Sequence, residues 1–280
     1  MRNQPLWMEL STRPIEPSVN FQDVLASAGV QYDVATVPIR LGTSNKLLDS
    51  HVAVVKTKLG GVYDEEVLGI VPSDKQIVGG TVALGRYSQY GQKFIGAGSL
   101  GGKPWLLDNR SDAIEYISSG TIGLIPQTLT YLDGVDLGVV LNVVCATSYA
   151  INFGSYTIKV PQQSIGEEVD QMISVFYRVR GELDRLTQFE FDNFEVPFKF
   201  LGTFMSDLDA CNIMDRYKSR NFFAIYQSLC LWADFEKTVH RTLLSPTADR
   251  VQSTWFGASR RIKQKALNGL LNLTNDMETQ

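Results

Sequence analysis

The hydrophobic period changes once along this chain, at Pro161. Before Pro161, short apolar runs alternate with polar residues at a period of two, which is typical of half-buried strands. After Pro161, apolar residues recur at steps of three and four, which is typical of one face of a helix. The sequence therefore predicts an α+β fold with an antiparallel β-sheet-rich N-terminal half and a helical C-terminal half. We place a β-rich core domain at residues 1–160 and a helical region at 161–280, which either stands alone or packs on the same core.

The N-terminal half reads as an extended, proline-containing arm at 1–17, a short helix at 21–28 and a series of strands. The helix ends at Gly29, a common residue just beyond a helix C-terminus. Glycine pairs and a Pro-Ser-Asp turn separate the strands, and this spacing indicates hairpins. The predicted strands are 30–34, 37–41, 51–58, 66–71, 93–96, 104–107, 121–127, 135–148 and 156–160.

Three helices are predicted in the C-terminal half. Ser164 is followed at the third position by Glu167, a capping-box pattern that predicts a helix over 165–188. A second helix is predicted over 219–244, ended by Pro246, because proline does not continue a helix. A last helix is predicted over 254–273.

Composition restricts the class of protein. The three cysteines, Cys145, Cys211 and Cys230, are few and odd in number, which indicates free thiols in a reducing compartment. The longest apolar stretch, 137–146, is far shorter than the roughly 20 residues that a membrane span needs. Residues 1–10 lack the apolar segment of a secretory signal. We therefore expect a cytoplasmic protein with no membrane partner.

The charge is unevenly distributed. The formal net charge is −4, yet residues 216–265 hold ten Lys/Arg against three Asp/Glu, a net charge of +7. A basic segment on an acidic protein indicates either contact with a polyanion or a solvated helix surface.

A glycine-rich motif at Gly96–Gly101 fits the spacing G-x-G-x-x-G. A dinucleotide site needs this motif between a strand and a helix, so that the helix N-terminus meets the pyrophosphate. Here Lys103-Pro104-Trp105 and two leucines follow, which predicts a strand, a turn and another strand. The motif therefore predicts a hairpin and not a nucleotide site.

No catalytic constellation is recognisable in the sequence. Neither histidine, His51 or His240, has a Cys, His or carboxylate at metal-ligand spacing. No nucleophile elbow is present, although a Ser-His-Asp triad assembled only in space stays open. The sequence therefore favours a binding protein over an enzyme, with no catalytic residue, metal or cofactor.

Basic and aromatic residues supply the candidate binding site. The segment Arg86-Tyr87-Ser88-Gln89-Tyr90 interleaves rings with cations, a combination that single-strand binders use for stacking and phosphate contact. The strand period places Lys56 and Lys58 on one face. The predicted nucleic-acid-binding residues are Lys56, Lys58, Arg86, Tyr87, Tyr90, Lys93, Lys103, Trp105, Lys159, Arg260, Arg261 and Lys263.

Several short segments resemble a phage- and plasmid-encoded family known as domain of unknown function 932. They are 19–34 with 37–39, 54–57 with 67–71, the glycine-rich turn 96–105, the Val-Val-Cys strand 142–147, and Trp255-Phe256-Gly257 with 262–267. Two positions depart from the family. Asn142 stands where an Arg commonly precedes Val-Val-Cys, and Leu132 stands where a His precedes Asp-Gly.

The resemblance implies a mobile-element protein of the host-cell cytoplasm. By analogy of fold with phage single-strand annealing proteins, it implies an oligomer that binds single-stranded DNA for recombination and grips the phosphate backbone without catalysis. Two alternatives remain open. One is a phage structural or protein-interaction protein with no nucleic-acid role, and the other is a nuclease or hydrolase with a dispersed carboxylate site.

Overall fold

A computed structural model shows antiparallel sheets in the N-terminal two thirds of the chain and helices at the C-terminus, which confirms the predicted α+β class. The chain forms two compact units. The helical unit comprises Met1–Leu10, Asn109–Thr128 and Val140–Gln280, and the sheet unit comprises Ser11–Asp108 and Leu129–Val139. The structure describes residues 5–10, 21–29, 32–58, 63–75, 77, 93–109, 114–118, 120–147, 151–159, 165–216, 221–237 and 246–279.

Three long strands form an antiparallel sheet within the sheet unit: β1 Tyr32–Arg40, β2 Leu47–Lys58 and β3 Tyr63–Pro72. The predicted strands 30–34 and 37–41 overlap the single strand β1, while residues 30 and 31 lie outside the described residues. Pro38 is accommodated there because β1 is an edge strand, where a missing backbone N–H breaks no ladder.

A second sheet has the order β4-β5-β7-β8-β9, with β6 paired to β7. Gly101 and Gly102, with φ of 59° and 78°, make the turn from β4 to β5. Because positive φ is costly for other residues, glycine suits both positions. The motif Gly96–Gly101 therefore lies in a hairpin, as predicted. The strands are β4 Lys93–Leu100, β5 Lys103–Asn109, β6 Glu115–Ile117, β7 Ile122–Asp133, β8 Asp136–Cys145 and β9 Asn152–Ile158.

The helices confirm two predictions, since α1 spans Phe21–Ala28 and α2 spans Ile165–Gln188. Two short helices were not predicted, and a 3-10 helix, Leu6–Leu10, lies in the predicted arm. The remaining helices are α3 Glu195–Gly202, α4 Asp207–Arg216, α5 Phe222–Leu231, α6 Pro246–Trp255 and α7 Ala258–Glu278.

The other two helix predictions are corrected. α5 ends at Leu231 and passes into a π-helical turn, Trp232–Glu236, while residues 238–245 lie outside the described part. Pro246 begins α6 instead of ending α5, which is the favoured position for proline in a helix. Gly257 separates α6 from α7, and a Cβ there would lie 2.9 Å from the Cα of Ser253.

The core of the helical unit forms where α2, α5 and α7 contact β9. Phe153 on β9 is fully buried, and its carbonyl accepts a hydrogen bond from the buried Tyr226 hydroxyl on α5. No helix among the described residues is long and apolar enough to cross a membrane.

Candidate nucleic-acid interface

Helix α7 has a buried stripe and a charged outer face. The buried positions recur at helical spacing and include Ser259, Lys263, Leu267 and Leu270. Arg261 and Lys265 are exposed and lie four residues apart, so they are neighbours on the outer face. In this basic run, Lys263 is therefore buried, whereas Arg261 and Lys265 are exposed.

Lys263 belongs to the core and is corrected as a candidate DNA contact. Its side chain is 0% exposed, and its ammonium lies 2.5 Å from Asp234. It also donates to the carbonyl of Asn152 at 2.7 Å. Burial raises the pKa of the Asp234 carboxyl, and the Lys263 charge opposes that rise. A lysine that is buried and ion-paired in this way cannot contact a phosphate in the solvent.

The first turn of α7 concentrates positive charge. It holds Arg260 and Arg261 and no acidic residue, and the Ser253 hydroxyl accepts a hydrogen bond from the Ser259 amide at 3.1 Å. A helix N-terminus already carries a partial positive charge, so cations are disfavoured there and anions are stabilised. This arrangement favours an external anion beside the helix start.

More cations adjoin this turn. Lys237, at the end of the π-helical turn, lies over the Trp232 ring at 5.9 Å. Its pKa is lowered from 10.5, first by burial and then by the charge of Arg261. Arg250 on α6 donates to the carbonyl of Lys237 at 3.2 Å. We define the cationic strip as Lys237, Arg250, Arg260, Arg261 and Lys265.

Three members of the strip have no acidic partner in the described part of the chain. Among the residues that the structure describes, no Asp or Glu forms an ion pair with Lys237, Arg261 or Lys265. Arg261 and Lys265 therefore repel each other at the i,i+4 spacing, at a cost of a few tenths of a kcal/mol. A bound polyanion would remove that repulsion.

The predicted residues of the sheet unit are placed differently. Lys56 pairs with Glu66 at 3.2 Å, and Lys103 pairs with Asp133 at 2.7 Å. Trp105 is 1% exposed within β5, so its ring packs in the core and cannot stack on a base. Neither lysine is a free cation, and Trp105 is removed from the candidate set.

Several predicted residues have no described side chain. Arg86, Tyr87 and Tyr90 lie outside the described residues, and Lys58 and Lys93 are described only as backbone of β2 and β4. Lys159 is exposed just after β9.

The structure brings the predicted residues Arg260 and Arg261 close to three further cations. These three, Lys237, Arg250 and Lys265, were not among the predicted residues. The available signal was the net positive segment 216–265, which contains all five.

A small cavity of about 30 Å³ lies beside the 3-10 helix Leu6–Leu10. Its polar walls come from Gln127, Asn152, Asp234 and Thr254, and Trp7 also lines it. Because a buried water needs roughly 10–15 Å³ of such space, the cavity has room for one or two waters and is too small for a nucleotide. In the described part of the chain, no group of three or more His, Cys, Asp or Glu is placed to hold a metal ion.

Comparison with known proteins adds no further constraint. No protein-family model, no curated protein and no solved structure matches this chain. The resemblance to domain of unknown function 932 therefore stays a prediction. Asn142, one of its departures, is fully buried on β8 and accepts a hydrogen bond from Ser155 at 2.6 Å.

Proposed function

We propose that this chain binds single-stranded DNA through its phosphate backbone, with the cationic strip as the contact surface. The observation that carries the proposal is the exposed pair Arg261 and Lys265 on α7, which has no acidic partner among the described residues. Lys and Arg contacts to phosphates supply most sequence-independent affinity for nucleic acid. This binding needs no catalytic group and no metal.

The preference for a single strand, the annealing role and the mobile-element origin rest on the sequence resemblance. In that role the protein would hold the backbone and leave the bases free to pair, as an oligomer along the strand. Because the formal net charge is −4, we expect DNA to contact one local basic surface and not the whole surface of the protein.

Fluorescence anisotropy with a labelled oligothymidylate, compared with its duplex, tests the proposal. The wild type is titrated over salt from about 50 to about 200 mM, where phosphate contacts weaken steeply. The variant Arg261→Gln with Lys265→Gln should bind more weakly, and its salt slope should fall by about 1.4, since each single-strand contact contributes roughly 0.7.

The matched control is Lys75→Gln with Lys103→Gln, which removes the same charge from two lysines that are paired with Asp136 and Asp133. Its salt slope should equal that of the wild type. Absence of any binding at the lowest salt would show that the proposal is wrong. Equal losses in both double variants would show that net charge, and not the strip, governs binding.

One feature of the sheet unit favours the alternative of a protein-interaction function. Val37, Ala53 and Ile70 lie opposite one another across β1, β2 and β3, and so share one face. Val37 is 37% exposed and Ile70 is 63% exposed. The neighbouring row on that face ends at Val67, which is 58% exposed. Contiguous exposed apolar patches often mark protein contacts.

Light scattering tests whether this face mediates self-association. If the face mediates self-association, Ile70→Lys should reduce the mass in solution, while Thr36→Lys should leave it unchanged. Thr36 is exposed on the same sheet but lies opposite Val54, on the other face. A wild type that is already monomeric would remove the support for self-association.

A further inference from the structure

A buried tyrosine hydroxyl in the helical unit has no hydrogen-bond partner among the residues that the structure describes. Tyr156 lies on β9, and its hydroxyl oxygen is shielded from solvent and unpaired among the described residues. Its ring lies so close to Gly154 that a Cβ there would be 2.8 Å from the ring. Because buried hydroxyls almost always find a partner, this donor requires an explanation.

Charged groups of both signs act on the hydroxyl. The Arg178 guanidinium on α2 lies over the Tyr156 ring, 5.7 Å from its centroid. Burial and the charges of Glu182 and Cys230 raise the pKa of the Tyr156 hydroxyl, and the charges of Arg178 and Arg260 oppose that rise. The hydroxyl is therefore a donor at physiological pH, and the Arg178 guanidinium lies beside its ring.

Glu182 is an acidic residue whose charge acts on the Tyr156 hydroxyl. It pairs with Arg178 at a long 3.5 Å, with side-chain exposures of 23% and 57%. A pair of this length and exposure contributes little free energy, typically below about 1 kcal/mol. The Glu182 carboxylate does not accept from the Tyr156 hydroxyl. Arg178 can therefore exchange Glu182 for a stronger acceptor at small cost.

We infer that Tyr156 and Arg178 form a subsite for one phosphate group. The hydroxyl would donate to a phosphate oxygen, and the Arg178 guanidinium would neutralise its charge in charge-assisted hydrogen bonds. For this, Arg178 would turn from Glu182 toward the phosphate and so open access to the hydroxyl. The charge of Arg260, a member of the cationic strip, also acts on the Tyr156 hydroxyl, so the subsite adjoins the strip. The inference rests on the proposed function as far as the phosphate belongs to DNA.

Tyr156→Phe is the decisive variant because it removes only the hydroxyl. In the absence of DNA it should melt at the same temperature as the wild type or higher, since an unpaired buried polar group is lost. In the anisotropy titration it should weaken oligothymidylate binding about tenfold or more, as expected for a lost hydrogen bond to a charged group. Arg178→Gln should weaken binding as well.

Tyr177→Phe is the matched control on α2. Tyr177 is half-exposed, and its hydroxyl donates to Glu115 at 3.2 Å. Its removal should leave DNA affinity unchanged. Unchanged affinity in Tyr156→Phe overturns the subsite while the strip proposal stands. A marked loss of melting temperature in Tyr156→Phe also overturns it, because the hydroxyl would then have a structural partner such as a buried water.

A second titration, with inorganic phosphate and melting temperature as the readout, separates the two phosphate sources. Stabilisation of the wild type but not of Tyr156→Phe supports the subsite even if oligonucleotide binding is absent, and the proposed function alone then fails. If the oligonucleotide binds with a loss in Tyr156→Phe, but free phosphate does not, the subsite acts only within a strand. No effect of the hydroxyl in either titration overturns the subsite.

Discussion

Three lysines of the sheet unit and two cations of helix α7 differ in their partners. Lys56, Lys75 and Lys103 each lie within 3.2 Å of a carboxylate. Arg261 and Lys265 on α7 have none among the described residues. A paired lysine must give up its carboxylate before it can bind a phosphate, whereas an unpaired cation gains a partner. The difference therefore directs the proposed DNA contact to Arg261 and Lys265, and away from Lys56, Lys75 and Lys103.

The origin of the difference lies in local structure. Strand pairing sets side chains of adjacent strands close together, and Lys56 on β2 meets Glu66 on β3 in this way. On α7, the neighbours four residues apart are both basic. Lys263, two residues before Lys265, differs from both groups, because it is buried and paired with Asp234. Four predictions test or refine this comparison, beginning with the largest expected effect.

Lys263→Met should lower the free energy of unfolding by about 3–5 kcal/mol, because it leaves the Asp234 carboxylate buried without its partner. Denaturant titration measures the change. Lys265→Met is the control on the outer face, with an expected change within about 0.5 kcal/mol. Combining Lys263→Met with Asp234→Leu should recover much of the loss. Equal midpoints for Lys263→Met and the wild type would contradict the buried pair.

Arg261→Glu with Lys265→Glu should reduce oligothymidylate affinity at low salt by about a factor of ten or more, since two contacts are lost and two repulsions added. Folding should be unaffected, because the side chains are exposed and acids suit the first turn of a helix. Anisotropy and denaturant titration measure the two quantities. An affinity equal to that of the wild type would place the DNA contact elsewhere.

The pKa of Lys237 should depend both on the residue at position 261 and on bound DNA. Its folded-state pKa lies below 10.5, so protonation opposes folding, and stability should rise as pH increases from the folded pKa toward 10.5. Arg261→Gln should raise the pKa by removing one cause of its depression, and bound DNA should raise it further. Detection of the side-chain nitrogen by NMR follows the titration. A pKa unchanged by Arg261→Gln would show that burial alone causes the shift.

The smallest effect tests the comparison most directly. Asn268→Glu gives Lys265 an acidic neighbour three residues away on the exposed face of α7. The pair should stabilise the helix by about 0.2–0.5 kcal/mol. DNA affinity should fall by a small factor, because Lys265 then resembles the paired lysines of the sheet unit. Asn268→Gln is the uncharged control and should leave affinity unchanged. A stronger affinity for Asn268→Glu would refute the role of pairing.

The parts that local chemistry controls were predictable. The capping box and apolar stripe placed α2 at 165–188, and the glycines at 101 and 102 identified the turn between β4 and β5. Pro246 was misinterpreted because proline is compatible with both the end of one helix and the first turn of the next. The site was predicted only in part. Arg260 and Arg261 were selected, but Lys237 and Lys265 were not.

By itself, the sequence determined the α+β class, the strand and helix periods and the basic character of residues 216–265. Only the tertiary structure decided which of those cations face solvent. Lys263 and Lys265 have the same chemistry and differ by two positions, yet the rotation of α7 against β9 buries one against Asp234, 29 positions earlier in the chain. Burial and pairing depend on contacts between residues that are distant in sequence. The burial of the Tyr156 hydroxyl, which has no hydrogen-bond partner among the described residues, depends on such contacts as well.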